Sequence, residues 1–309
     1  MARYLITGGA GFIGSHLCER LLVGGHAIRV IDDLSTGSRR NLPASIELIV
    51  GDAADPAIVG KAVEQVDGIF HLAAIASIER SHEHWVEVHR VNQTAALVVL
   101  DAARLAGRIP VVLASSAAVY GDSDDLPLRE TGVPRPVSAY GADKLGCELH
   151  ARVAWIVHGV PTAALRLFNV FGPRQDAGSP YSGVTAIFAD RIRRGEAPIV
   201  YGDGQQTRDF IYVADVTRHL EAAMNSLESK PRSVICNVCT GRAVTIQALA
   251  HHIGDLLGRP GFGVKFAPPR TGDLRHSCGD PCRAMHELNV RPEIDLHCGL
   301  SALLRFDVG

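Results

Sequence analysis

The chain has 309 residues but only four lysines (Lys61, Lys144, Lys230 and Lys265), so nearly all of its 31 basic side chains are arginine. Those 31 cations face 33 carboxylates, a net charge of −2 with histidine neutral. No basic surplus advertises nucleic acid or an anionic membrane surface. Long apolar runs are also missing. The richest, over 95–100, is stopped by Asp101, well short of the ~18 residues that suggest a membrane-spanning helix. The opening segment carries only Tyr4-Leu5-Ile6 before its first glycine, too little for the apolar core of a signal peptide. A soluble cytoplasmic protein is therefore expected. No repeat of fixed period and no low-complexity tract occurs. With 47% hydrophobic and 21% charged residues, collagen-like and disordered classes are excluded.

Seven cysteines, an odd number, argue against a disulfide framework. Cys236-Asn237-Val238-Cys239 has metal-type spacing, and Cys278 and Cys282 are available as further ligands. However, 234–238 reads as a buried strand, which sends residues three apart to opposite faces. The expectation is no metal and buried free thiols. The fourteen histidines form no HExxH-like pattern. One excess is present: 31 glycines, a residue used where backbone turns tightly or comes close to a partner.

Short β-rich apolar runs alternate with helical patterns through the first half. Strands are predicted near 4–6, 28–31, 46–50, 69–72, 111–114 and 163–167, with helices over 13–23, 85–105 and 140–158. This order predicts right-handed βαβ units and a parallel sheet covered on both faces. After Gly172-Pro173 the pattern becomes turn-rich. Residues 1–172 read as a dinucleotide-binding domain and 173–309 as a smaller substrate-binding domain, with chain crossings between the two.

Thr7-Gly8-Gly9-Ala10-Gly11-Phe12-Ile13-Gly14 follows the first strand and opens the first helix. Gly8, Gly11 and Gly14 allow a tight turn, close approach to a pyrophosphate and close helix–strand packing, while the helix N-terminus supplies N–H groups. A glycine triplet alone is weak; here strand, loop, helix and second strand come in order. The second strand ends at Asp32, beside Asp33 and eighteen residues after Gly14. A carboxylate there accepts from ribose hydroxyls and repels a 2′-phosphate, which favours NAD. Arg39 and Arg40 are the rival signal for NADP. Asp52, after the third strand, is placed to meet the adenine edge, with a plain surface carboxylate as the rival reading. The fold class is thus α/β, a Rossmann-type doubly wound parallel sheet with a smaller α/β substrate-binding domain.

Tyr140-Gly141-Ala142-Asp143-Lys144 places Tyr and Lys on one face at a helix start. A phenol is a poor base near neutral pH, but a nearby ammonium and a nicotinium cation favour phenolate. The same Lys can hold the nicotinamide ribose. Such a pair by chance is an exposed helix pair; Ser115-Ser116-Ala117-Ala118-Val119-Tyr120-Gly121 raises its significance. Ligands of open α/β sheets lie beyond the carboxyl ends of strands, and Ser116 stands there, able to share a substrate hydroxyl with Tyr140.

With these segments, the sequence resembles the extended short-chain dehydrogenase/reductase family, the NAD-dependent epimerases and dehydratases, and within it the UDP-glucose and UDP-N-acetylglucosamine 4-epimerases. The likeness runs over nearly the whole chain. It includes Asp32-Asp33-Leu34-Ser35-Thr36-Gly37, His71-Leu72-Ala73-Ala74, the 166–175 segment, Tyr181-Ser182-Gly183-Val184, the 201–210 segment and Arg270-Thr271-Gly272-Asp273. The resemblance implies that Phe12, Ile13, Asp32, Asp52, Ala53, Leu72, Ala73, Ala74 and Asn92 line NAD, that Tyr140 and Lys144 contact it, and that Phe168 lies against the nicotinamide. It implies that Asn169, Val184, Tyr201, Arg208, Arg270 and Asp273 hold a nucleotide diphosphate, a task suited to forked arginine donors. Taken singly, Arg208 or Arg270 reads as an ordinary surface cation. The implied reaction is 4-epimerisation of a UDP-hexose or UDP-N-acetylhexosamine through a transient 4-keto sugar.

Rivals within the family are dehydratases, UDP-glucuronate 4-epimerases, decarboxylases and reductases. Relatives of the dehydratase type carry Asp-Glu, and decarboxylases Glu, where this chain has Ala117-Ala118, which cannot move protons. A glucuronate epimerase wants a cation after Gln175, where Asp176-Ala177-Gly178-Ser179 stands. A non-catalytic NAD-binding sensor is the alternative of another class; the intact Ser116, Tyr140 and Lys144 argue against it. By family pattern a gate residue follows the Arg-x-Gly-Asp segment. Counting from Gly272-Asp273 makes it Ser277, with Cys278 one position on. A small gate implies acceptance of N-acetylated UDP-sugars. Ala114, Phe171 and the 280–283 segment depart from the family pattern without removing a catalytic group. The family also implies a homodimer through the helices near 85–105 and 140–158.

Overall fold

Apolar alternation and glycine-rich turns produce the strand–helix–strand units of the first half. The computed structural model describes residues 1–175, 183–269 and 274–306. In chain order come β1 (Arg3–Thr7), α1 (Phe12–Val23), β2 (Ala27–Asp32), β3 (Glu47–Val50), α2 (Pro56–Ala62), β4 (Gly68–His71), α3 (Ile78–Glu83), α4 (Trp85–His89), α5 (Ala95–Leu105) and β5 (Val111–Ser116). They are followed by α6 (Ala139–His158), β6 (Thr162–Leu167), β7 (Asn169–Phe171), α7 (Val184–Arg193), β8 (Ile199–Tyr201), β9 (Thr207–Tyr212) and α8 (Val213–Ser229). The last elements are β10 (Ser233–Val238), β11 (Ala243–Thr245), α9 (Ile246–Leu256), β12 (Lys265–Ala267), α10 (Cys282–Leu288) and α11 (Leu296–Arg305).

Seven strands form one parallel sheet in the order β10-β6-β5-β4-β1-β2-β3. The chain proceeds outward from β1 in one direction and from β4 in the other. A topological switch point therefore lies between them, where open α/β sheets bind ligands at their carboxyl ends. Strand alternation splits the core. Tyr4 and Ile6 face one layer with Leu17, Leu21, Leu220 and Met224. Leu5 faces the other with Val59, Val99, Cys147 and Ala151. The edge strand β10, helix α8 and α10 all come from beyond residue 172 and pack on this sheet. A third core, around Phe171, Phe188, Phe210, Leu249 and Leu300, underlies a three-stranded sheet β11-β9-β7 and the pair β12-β8.

Two expectations need correction. The helix read over 85–105 is interrupted: a π turn over Arg90–Thr94 separates α4 from α5. Its cause is Asn92, fully buried, whose Oδ1 accepts from Ile75 N (2.8 Å) and whose Nδ2 donates to Ile75 O (3.2 Å). Turning Asn92 inward toward that loop takes one extra residue in the turn, a device common at functional sites. The thiols also divide. Cys18, Cys147, Cys236, Cys239 and Cys278 are buried, but Cys282 and Cys298 are exposed, in the first turns of α10 and α11, where only one helix face packs.

Candidate active site

The loop between β1 and α1 curls so that glycine is required. A Cβ on Gly14 would sit 2.2 Å from the Gly8 carbonyl oxygen, and one on Gly8, at φ +70°, 2.7 Å from Ala73 N. The loop is thus pressed against the segment Leu72-Ala73-Ala74 after β4, with Leu72 N donating to Thr7 O (3.1 Å) across the switch point. The α1 N-cap is Gly11, which offers no side-chain acceptor to the first-turn amides of Phe12 and Ile13. An uncapped helix N-terminus beside a bare glycine loop fits a pyrophosphate.

Asp32 ends β2 and is 7% exposed. Its Oδ2 accepts from Ala10 N and its Oδ1 from Leu34 N, both at 2.9 Å, leaving a further acceptor position on each oxygen. Burial pushes its carboxyl above the ordinary range, against the pull of those two amides. Gly37 closes over it: a Cβ there would meet Asp32 Oδ1 at 2.8 Å. Asp33 accepts from Ser35 N and Oγ, shaping the turn that runs on to Thr36. Arg39 directs Nη1 to the carbonyls of Leu42 and Pro43. These observations fit an adenosine ribose with free hydroxyls. Asp52 pairs with Arg90 (2.6 Å) at the rim, and Ala53 is buried beneath it.

The second constellation forms where α6 meets the end of β5. Ser138 caps α6, accepting from Gly141 N (3.1 Å). A Cβ on Gly141 would lie 2.6 Å from Ala118 O, so only glycine lets the turn carrying Tyr140 touch the turn that follows Ser116. Lys144, 3% exposed, donates from Nζ to Ala114 O (2.8 Å) and lies 5.8 Å from the Tyr140 ring centroid. Ser116 Oγ accepts from Ala118 N (3.1 Å). Tyr140, Lys144 and the Ser116 strand end therefore converge at the carboxyl edge of the sheet. Behind them His71 is buried and pairs through Nδ1 with Thr7 Oγ1 (2.8 Å). Burial first, then the Lys144 charge, pushes its pKa down to about 3.

Phe168 is buried against Tyr120 and against Gly279, whose missing Cβ would sit 2.6 Å from the Phe168 ring. Asn169 opens β7, Val184 opens α7, Tyr201 ends β8 and Arg208 lies in β9, donating to Thr207 O (2.8 Å). Ser277 is buried and its amide donates to Thr207 O (3.1 Å). Arg270 and Asp273 lie outside the described residues.

Sequence reasoning gave no role to several polar residues here. Asp209, fully buried, accepts from Thr240 N and Oγ1, Gly241 N and Gly279 N, binding three chain segments together. Arg174 reaches back to Ser15 and Glu19 of α1. Glu148 and Arg166 pair in the interior beside Ser115. Only Glu148 had a sequence signal, its place one helical turn after Lys144 on the same face.

The family model described as "NAD dependent epimerase/dehydratase family" matches residues 4–239. A UDP-glucose 4-epimerase of Mycolicibacterium smegmatis is 35% identical over 311 residues, 98% of this chain and 98% of that protein. The UDP-glucose 4-epimerase of Thermotoga maritima, solved with UDP-glucose, superposes with a TM-score of 0.93 at 32% identity, covering 98% of each chain. A UDP-N-acetylglucosamine 4-epimerase from Methanobrevibacter ruminantium, in complex with UDP-N-acetylmuramic acid, gives a TM-score of 0.92 at 35% identity, with 99% of this chain and 97% of that chain covered.

Proposed function

Because the chain belongs to the NAD-dependent epimerase/dehydratase family, we propose that it interconverts the C4 epimers of a UDP-sugar, with UDP-N-acetylglucosamine and UDP-N-acetylgalactosamine accepted alongside UDP-glucose and UDP-galactose. The observation that carries this reading is the convergence of Tyr140 and Lys144 on the Ser116 strand end, beside a glycine loop and Asp32 that fit NAD. NAD, when bound, supplies reversible hydride acceptance at the sugar carbon. The protein's own groups do the rest. Tyr140 takes the 4-hydroxyl proton onto its phenolic oxygen, Lys144 stands 5.8 Å from its ring centroid, and Ser116 holds the reacting oxygen. Ala117 and Ala118 offer no acid or base for elimination or decarboxylation.

Gly8, Gly11, Phe12, Ile13 and Gly14 would hold the NAD pyrophosphate, and Asp32 with the 33–37 turn the adenosine ribose. Asp52, Ala53, the 72–74 segment and Asn92 would complete the cofactor side, with Phe168 at the nicotinamide end. Asn169, Val184, Tyr201, Arg208, Arg270 and Asp273 would clamp the nucleotide. In this division residues 1–172 mainly bind NAD and 173–309 mainly the nucleotide sugar, with crossings such as Asn169 between the two. Ser277, small and buried, would be the gate that admits an N-acetyl group. Incubation with UDP-N-acetylglucosamine and with UDP-glucose, without added reductant, should yield C4 epimers and no net NADH. Net NADH, carbon dioxide or a 4-keto-6-deoxy product would overturn the reading. Ser277→Tyr should lose the N-acetylated substrates selectively.

The proposal extends to a cytoplasmic homodimer. A reducing compartment suits seven free thiols. On α6 the residues Leu149, Val153, Ile156 and Val157 are exposed at helical spacing, and Leu97 and Leu105 are exposed on neighbouring α5; such a stripe suits a helix-to-helix partner face. Ile156→Glu should shift the molecule to monomer in size-exclusion chromatography with light scattering, and a monomeric wild type would remove this part of the proposal.

A further inference from the structure

Directly behind the Tyr140–Lys144 turn lies a buried ionic row that the chemistry above does not use. Ser115 on β5, Arg166 on β6 and Asn237 on β10 are register partners across three neighbouring strands, so they share one face of the sheet. Glu148 of α6 lies over that row. Ser115 Oγ donates to Glu148 Oε1 at 2.5 Å; Arg166 donates from Nε to Oε1 at 2.9 Å and from Nη2 to Oε2 at 2.7 Å. The two charged side chains are 3% and 2% exposed. Tyr120 covers the guanidinium, whose carbon lies 4.6 Å from the ring centroid, and its hydroxyl donates to Asn237 Oδ1 at 2.6 Å.

Taking two charges out of water costs several kcal/mol per ion, and apolar replacements are often no less stable. A pair kept this deep therefore points to geometry more than to stability. Helix α6 presents Lys144 and Glu148 one turn apart on one face, and they grip consecutive residues of β5. Lys144 Nζ takes Ala114 O, and Glu148 takes Ser115 Oγ. The forked Arg166 contact admits little freedom in the depth or rotation of that helix. Successive strand side chains alternate, so anchoring Ser115 to α6 also sets the direction in which Ser116 projects.

We propose that Ser115, Glu148 and Arg166 form a positioning device, which holds the β5 end bearing Ser116 in register with the α6 turn bearing Tyr140 and Lys144. This rests on the proposed roles of those three residues in epimerisation. The device touches no reacting atom; it acts by keeping the reacting groups within a fraction of an ångström, and a misplacement of about 1 Å costs roughly 100-fold in rate.

The test compares wild type, Glu148→Gln and Ser115→Ala by steady-state turnover of UDP-N-acetylglucosamine, thermal midpoint and NAD content from absorbance after denaturation. Glu148→Gln should lose about 10- to 100-fold in kcat per NAD-loaded molecule, with KM changed by less than about twofold. Ser115→Ala, which leaves the ion pair intact, should lose about 3- to 10-fold and keep its NAD. The double variant Glu148→Gln with Arg166→Gln, neutral again, should recover thermal stability but not kcat. Wild-type kcat per bound NAD in Ser115→Ala and Glu148→Gln would overturn the proposal, as would a loss traced wholly to a smaller folded fraction. If Glu148→Gln does not fold, Ser115→Ala decides alone. A wild type that epimerises no UDP-sugar defeats the functional reading instead, and this inference with it.

Discussion

Gly14 is a position where one added methyl group has nowhere to go. Its Cβ would overlap the Gly8 carbonyl and lie 2.7 Å from Gly9 Cα, both backbone atoms that cannot swing aside. Gly14→Ala should therefore cost at least about 1–3 kcal/mol in denaturant unfolding and strip NAD from the purified protein. Gly60, in the middle of α2 with nothing within 4 Å of its missing Cβ, is the control. Gly60→Ala should stabilise by roughly 0.5–1 kcal/mol. His71 is the residue where pH should be felt. Its folded pKa near 3 lies below the unfolded value of 6.5, so the unfolded chain takes up its proton first as pH falls. The stabilising contribution is complete above about pH 6.5 and is lost progressively toward pH 3. Between pH 7.5 and 5.5, wild type should lose about 1.4 kcal/mol more than His71→Gln in urea titrations; parallel curves would refute the assignment. The half-buried His16 and buried His219, both lowered chiefly by burial, add to the wild-type slope but cancel in the comparison.

At the scale of elements, α6 is the part on which most depends. Ser138 satisfies the Gly141 amide in the turn that carries Tyr140, and Gly141 lets that turn rest on Ala118. Ser138→Ala should cost about 1 kcal/mol of stability. Because the loosened turn holds Tyr140, turnover should fall at temperatures well below the melting midpoint; unchanged kcat would separate the cap from the site. Much of this was readable beforehand. The Tyr-xxx-Lys spacing on a helix, the glycine loop after a strand and the strand-end position of Asp32 are local patterns, and 3.6- and 2-residue periodicities reveal them. The π turn at Arg90–Thr94 was not readable, since it arises from Asn92 bonding a backbone loop seventeen residues away.

For the whole molecule, the interlocking of early and late segments is what sets stability. Leu220, Met224, Val234 and Leu288 belong to the same core as Tyr4, Leu17 and Leu21, and β10 pairs along the full length of β6. A fragment ending at Gly172 would leave that core face and the β6 edge bare, an aggregation hazard. Expressed alone, it should be insoluble or melt without a cooperative transition, and a fragment with a sharp melting curve would contradict this. Within the later half, Asp209 ties three segments together near Ser277. Asp209→Ala leaves the buried amide of Gly279 and the part-buried donors of Thr240 and Gly241 without their acceptor, so it should cost about 1–3 kcal/mol.

By itself the sequence determined the alternation of strands and helices, the dinucleotide loop and the identities of Ser116, Tyr140 and Lys144, because each is encoded in residues close together along the chain. The tertiary structure alone decided which distant residues face one another. It seated Glu148 between Ser115 and Arg166, set His71 against Thr7, and returned β10 to the edge of a sheet begun more than two hundred residues earlier. Those pairings depend on register and burial, which no short window of sequence contains.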